Sequence, residues 1–144
     1  MQSGDHQTSE SDVAVLSYDQ AVISPPDDSG ISLIETTLHE RFTGGLDGDG
    51  TARHLRVIHR DGTGTFTCVE RFAGSLHGRS GSFALTAEGF IDAASIVRGR
   101  WEVVPGSGTG DLRGLRGFAA FSAARAPRTS TGWAARDTLT YWFE

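Results

Sequence analysis

The sequence predicts an all-β domain, a closed eight-stranded antiparallel up-and-down barrel. Three observations carry that expectation. Segments of alternating apolar and polar residues recur along the chain, turn residues separate them every eight to twelve residues or so, and helical periodicity is almost absent. Eight consecutive strands with mostly short connections close into a barrel more readily than into a Greek-key sandwich, because closure removes exposed sheet edges without long crossovers.

Strands are expected near residues 12–24, 31–43, 51–60, 64–75, 82–91, 95–104, 117–124 and 134–143. The separators have turn chemistry: PPDDSG from 25, GGLDGDG from 44, RDGTG from 60, LHGRSG from 76 and ARAPRTSTG from 124. The Asp61-Gly62 pair is a strong hairpin signal. Residues 1–11 read as a flexible tail, which leaves 12–144 as a single β-barrel domain.

The longest separator, PGSGTGDLRGLRG at 105–117, invites a phosphate-binding reading and does not sustain it. A P-loop needs a lysine after its second glycine, and all thirteen basic side chains of this chain are arginine. A dinucleotide loop needs G-x-G-x-x-G, whereas Gly106, Gly108 and Gly110 stand at every second position and Arg113 occupies the place of the last glycine. A structural loop, with DLRGLR forming one helical turn at an end of the barrel, is the reading that remains.

Composition narrows the functions. A net charge of −5, with arginines scattered among acids, disfavours nucleic acid and membrane surfaces as partners. No apolar run approaches the ~20 residues of a bilayer span, and the N-terminus has no signal-peptide pattern, so a soluble cytoplasmic protein is expected. Cys68 is the only cysteine, which excludes an internal disulfide and a cysteine metal cluster. The absence of lysine removes Schiff-base chemistry and pyridoxal phosphate attachment, and no cofactor is expected.

Alternation assigns faces. In TFTCVERF, Phe66, Cys68, Glu70 and Phe72 share the face expected to line the lumen. Phe83 with Leu85, Val97 with Gly99, Trp101 and Val103, and Leu139 with Tyr141 and Phe143 form matching sets; Leu55, Val57 and His59 are expected inward on the third strand. Val69, Ile58 and Trp142 fall outward, a hint that a homodimer or higher homo-oligomer covers the wall. Such an interior, aromatic with a few polar groups, is how apolar small-molecule pockets are built, and a hydrophobic small molecule is the expected partner.

Glu70 is the first candidate for chemistry. A carboxylate between phenylalanines in a closed barrel is desolvated, and desolvation raises its pKa toward the range of a general acid or base. The competing readings are a face reversed at a bulge, or a pair with an arginine such as Arg100. His59 is the second catalytic candidate, near a barrel mouth, against the alternative of a solvated strand end. Phe66, Cys68, Phe72, Phe83, Leu85, Trp101 and Tyr141 are the candidate substrate-binding residues; Cys68 reads more naturally as a small hydrophobe than as a thiolate.

Several motif look-alikes fail on spacing. HERFT at 39 lacks the second histidine of a zincin helix, with Thr43 in its place. DGDGT at 47 starts like a calcium loop, but Ala52 and Ile58 stand where its glycine and glutamate belong. GRSGS at 78 lacks the final glycine of a nucleophile elbow and lies between strands. No metal site is expected.

RFTGGLDGDGT (41–51), DGTGTFTCVERFAGSLHGRSGSFAL (61–85) and WEVVPGSGTGDLRGLRG (101–117) resemble the uncharacterised bacterial domain family 3224, itself similar to the allene oxide cyclase barrel, a lipocalin-like closed barrel of eight strands with an aromatic lumen. The resemblance runs from about residue 12 to the end, and GSGTGDLRGLRG is its most specific part, where it implies a fold signature and no nucleotide site. Glu70 matches the family's glutamate and Trp101 its tryptophan. Ala87 stands where many members carry histidine and Glu40 where a basic or polar residue is common; if that histidine is functional, the resemblance implies that this chain either lacks the family's activity or supplies the proton from another group, His59 or Glu40. Related barrels close rings without a cofactor by folding a flexible substrate against aromatic walls. The implied function is a cofactor-independent cyclase or isomerase acting on a hydrophobic, oxygenated, polyketide- or oxylipin-like molecule; the alternatives are a non-catalytic carrier or sensor and a barrel packed solid by its own side chains.

Overall fold

Each strand pairs with the next in sequence and the last returns to the first: β1 (Gln7–Ser24), β2 (Ser32–Gly44), β3 (Leu46–Ile58), β4 (Gly64–Leu76), β5 (Arg79–Ile91), β6 (Val97–Val103), β7 (Leu115–Arg125) and β8 (Trp133–Phe143). The ring is closed and antiparallel throughout. The computed structural model describes residues 5–126 and 131–144. The separator ARAPRTSTG therefore lies partly outside the described residues, as do residues 1–4 of the expected tail.

Two boundaries differ from expectation. Gln7–Ser11, read as tail, is strand: it pairs with Tyr141–Asp137 of β8. Its alternation is carried by small polar residues, with Ser9 and Ser11 buried and Ser11 Oγ accepting the Leu46 N–H at 3.0 Å, so it lacks the apolar signal that marks other strands. In GGLDGDG only Gly45 lies between strands; Gly44 ends β2, and Gly48 and Gly50 belong to β3. Gly50 is needed for space, since a Cβ there would lie 2.1 Å from Glu70 Oε2.

The third strand faces the opposite way from its expected register. Leu55 and Val57 are exposed on the outer wall, and His59 lies exposed in the β3–β4 turn, its N–H donated to the Thr63 carbonyl. Ala52, His54, Arg56 and Ile58 take the inward positions. Leu55 and Val57 outside with His54 and Arg56 inside invert the usual rule at this end of the strand, and a one-residue change of register flips every side chain. Ile58, expected outward, goes with the inward set; Val69 is exposed as expected.

The glycine-rich loop is structural. β6 pairs with β5 only from Leu85 to Ile91, and the loop serves the remainder of the edge: the Ser82 and Ala84 N–H groups donate to Thr109 Oγ1 and Ser107 Oγ, each at 3.0 Å. A 3-10 turn, Gly110–Leu112, then drives the fully buried Leu112 into that end of the barrel. With Leu46, Leu76 and Leu115 it seals the closed end beneath a layer containing Phe42, Phe72, Phe83 and Leu139. Phe72 sits 5.3 Å from Phe42 and 5.1 Å from Phe83 between ring centroids, so the rings of this half are packed against one another.

Candidate functional site

Above the sealed half lies a cavity of about 230 Å³, walled by side chains from all eight strands. A bulge in β1 helps to shape it. Between Val15 and Ser17 the register against β2 shifts, so the inward set changes from Val13 and Val15 to Tyr18 and Gln20. β8 pairs with β1 only as far as Ala14, and beyond that Thr131 Oγ1 donates to the Val15 carbonyl at 2.7 Å. The end of the cavity away from the sealed half, its mouth, is lined by Tyr18, Gln20, Ile91, Ser95 and Trp133.

Three carboxyl groups stand at the cavity floor, each one inward position above the sealed layer: Glu40 above Phe42 on β2, Glu70 above Phe72 on β4 and Asp137 above Leu139 on β8. Glu70 and Asp137 are buried. Burial raises the Glu70 pKa well above the usual carboxylate range, and the adjacent Glu40 adds to this through its charge and through a hydrogen bond that Glu70 donates. Two carboxyls can share such a bond only if one keeps a proton. Burial raises Glu40 too, while the bond from Glu70 favours its charged form. Glu70 Oε2 has no nitrogen or hydroxyl donor among the described residues.

Asp137 is pushed up to about 7, chiefly by burial, against the opposing effect of the Trp101 indole, which donates to Oδ2 at 3.0 Å. The floor therefore holds a carboxyl biased toward its neutral form, its hydrogen-bond acceptor and, in Asp137, a third carboxyl raised to about 7. That set can move protons without a metal or cofactor.

Toward the mouth, His54 stacks on Phe66 with ring centroids 5.0 Å apart. Burial, reinforced by Arg56, lowers it to about 4, so its imidazole is neutral at pH 7 and its Nδ1 has no partner among the described residues. Arg56 lies one inward position further up β3, with Nε likewise buried and unpartnered. Burial pushes the Cys68 thiol up, so it remains a neutral thiol.

Of the expected site residues, Glu70, Phe66, Cys68, Leu85 and Trp101 come together around the cavity. Glu70 makes no pair with Arg100, which is bound to Glu88 on the outer wall. Phe72, Phe83 and Tyr141 point inward as expected but lie in the sealed half; the Tyr141 hydroxyl bonds His77 Nδ1 at 2.5 Å and donates to Gln7 Oε1 at 3.1 Å. His59 is outside the lumen. Ala87 lines the cavity opposite Trp101 and Cys68. Asp137, His54 and Arg56 were not anticipated. Asp137 was legible by extending the Leu139, Tyr141, Phe143 alternation by one step, whereas His54 and Arg56 become inward only once Ala52 is known to pair with Glu70.

A family model described as a protein of unknown function, DUF3224, matches residues 10–131. No curated protein matches the chain. Among solved structures, a protein of unknown function of that family from Shewanella oneidensis MR-1 is 26% identical, with a TM-score of 0.72 over 97% of this chain and 98% of the other. A pterocarpan synthase dirigent protein is 15% identical, with a TM-score of 0.60 over 100% of this chain and 98% of the other, a likeness of fold.

Proposed function

The chain belongs to the DUF3224 family, and we propose that its barrel is a cofactor-independent cyclase or isomerase that confines a hydrophobic, oxygenated small molecule in the lumen. The observation that carries this reading is the proton-holding pair Glu70 and Glu40 at the floor of an otherwise largely apolar cavity. Confinement between Phe66, Phe121, Leu85 and Trp101 restricts a flexible substrate to reactive conformers. The neutral Glu70 carboxyl donates its proton to a carbonyl, epoxide or hydroxyl oxygen of the substrate. Glu40, already its hydrogen-bond acceptor, takes up the proton released when the product forms, and Asp137 is a second acceptor across the lumen. A low local dielectric strengthens each of these interactions. The synthase named among the structural neighbours supports small-molecule chemistry in this barrel by analogy of fold.

Native mass spectrometry of the protein purified from its own host tests the reading. A small-molecule adduct that is lost on denaturation is expected. Given the eluted compound, the wild type should convert it and Glu70→Gln should bind it unchanged. Equal conversion by both removes Glu70 from the reaction, and no conversion by either leaves a carrier or sensor.

A further inference from the structure

Arg56 is a charged group facing a cavity that the floor chemistry does not use. It lines the lumen wall above His54, its Nε is buried, and no carboxylate lies within ion-pair distance among the described residues. The ion pairs of the other arginines lie on the outer wall and around the barrel rims, for example Arg53 with Glu35, Arg100 with Glu88 and Arg136 with Asp12. The polar side chains near Arg56 are Tyr18, Cys68, whose thiol burial keeps neutral, and His54, whose imidazole is neutral at pH 7. The floor acids do not reach it: Ala52, which pairs with Glu70, is four residues down the strand, roughly 13 Å of rise. A half-buried cation without a counter-charge is costly to hold, and a fold that needed only packing there would be better served by an aliphatic side chain.

We propose that the lumen takes an amphiphilic carboxylate, its anionic head bound by Arg56 near the mouth and its apolar body running past Phe66 and Phe121 toward the floor carboxyls. This rests on the reading of the lumen as a small-molecule site and adds the charge and orientation of the ligand. A guanidinium presents Nε–H and Nη–H side by side, the geometry that grips a carboxylate with two parallel hydrogen bonds. His54 offers its neutral ring beside the head, and Trp133 and Ile91 line the same end of the cavity. With the head fixed at Arg56, the far end of the molecule is the part delivered to Glu70, so chemistry falls remote from the carboxylate.

The test uses two nearly isosteric probes, 1-naphthaleneacetate and its neutral amide, titrated by calorimetry into the wild-type protein and Arg56→Met. The acid is expected to bind the wild type at least tenfold more tightly than the amide. Arg56→Met should erase that advantage while leaving amide affinity within about twofold, and its melting temperature should not fall, because an uncompensated charge has been removed. If the wild type binds the amide but prefers the acid by less than threefold, or if the preference survives Arg56→Met, the carboxylate assignment is wrong and the lumen reading stands. If the wild type binds neither probe, both fail. A lower melting temperature for Arg56→Met would mean that the fold itself satisfies the guanidinium, which also overturns the assignment.

Discussion

Trp101 Nε1 donates to Asp137 Oδ2 at 3.0 Å, joining buried groups on β6 and β8 across the lumen face of β7. The bond opposes the burial that drives Asp137 toward its neutral form. It therefore matters most when Asp137 is charged. Trp101→Phe keeps a ring in place and removes the donor, and should cost about 1–3 kcal/mol at pH 8 and distinctly less at pH 5. Chemical denaturation at the two pH values checks this; an equal loss at both would show that the bond does not favour the carboxylate.

Asp137→Asn should change how stability depends on pH. In the unfolded chain the carboxyl titrates near 3.8 and in the fold at about 7, so the native state holds the extra proton between these values. Its contribution to stability is complete below 3.8 and is lost as pH rises to about 7. The gap corresponds to at most about 4 kcal/mol. Melting curves from pH 4 to 8.5 should show the variant gaining on the wild type as pH rises and the difference levelling above pH 7.

His54→Phe should give a difference profile of opposite slope. The imidazole titrates near 6.5 when unfolded and about 4 when folded, so the native state binds fewer protons between these values and loses stability as pH falls through them. Phenylalanine preserves the stack on Phe66 and cannot take a proton. The variant should therefore gain on the wild type as pH falls from 6.5 to 4, by up to about 3 kcal/mol. A flat difference over that range would place His54 in solvent.

Gly50→Ala should be strongly destabilising, by about 2 kcal/mol or more, because the new methyl would meet Glu70 Oε2 at 2.1 Å and the Phe42 ring at 3.0 Å. Much of that cost should vanish when Glu70 is already alanine. A double-mutant cycle of Gly50→Ala and Glu70→Ala measures the coupling, and strict additivity would mean that Gly50 is not making room for the carboxyl.

Cys68 is buried, and that burial raises its thiol pKa. In the folded protein it should resist iodoacetamide at pH 8 and react promptly once unfolded in denaturant. Fast labelling of the native protein, followed by mass spectrometry, would contradict the packing around it.

The number of strands and their order are legible in the residues alone, although the first strand begins earlier than its pattern indicates. Period-two alternation and turn chemistry such as Asp61-Gly62 are local, so the eight strands, the ring they close and the structural role of the 105–117 loop could be read without knowing any contact. The inward face of β4, with Glu70 between Phe66 and Phe72, was legible for the same reason. The tertiary structure decided the facing of β3, the switch of face after Val15 in β1, and the meeting of Glu40, Glu70 and Asp137 from three strands. Each depends on which residues stand opposite one another across the barrel. Leu55 and Val57 look like core residues, and only the pairing of Ala52 with Glu70 turns them outward and brings His54 and Arg56 into the lumen. Register is a non-local quantity, and so are the burial and neighbouring charges that set the proton affinities of the floor carboxyls.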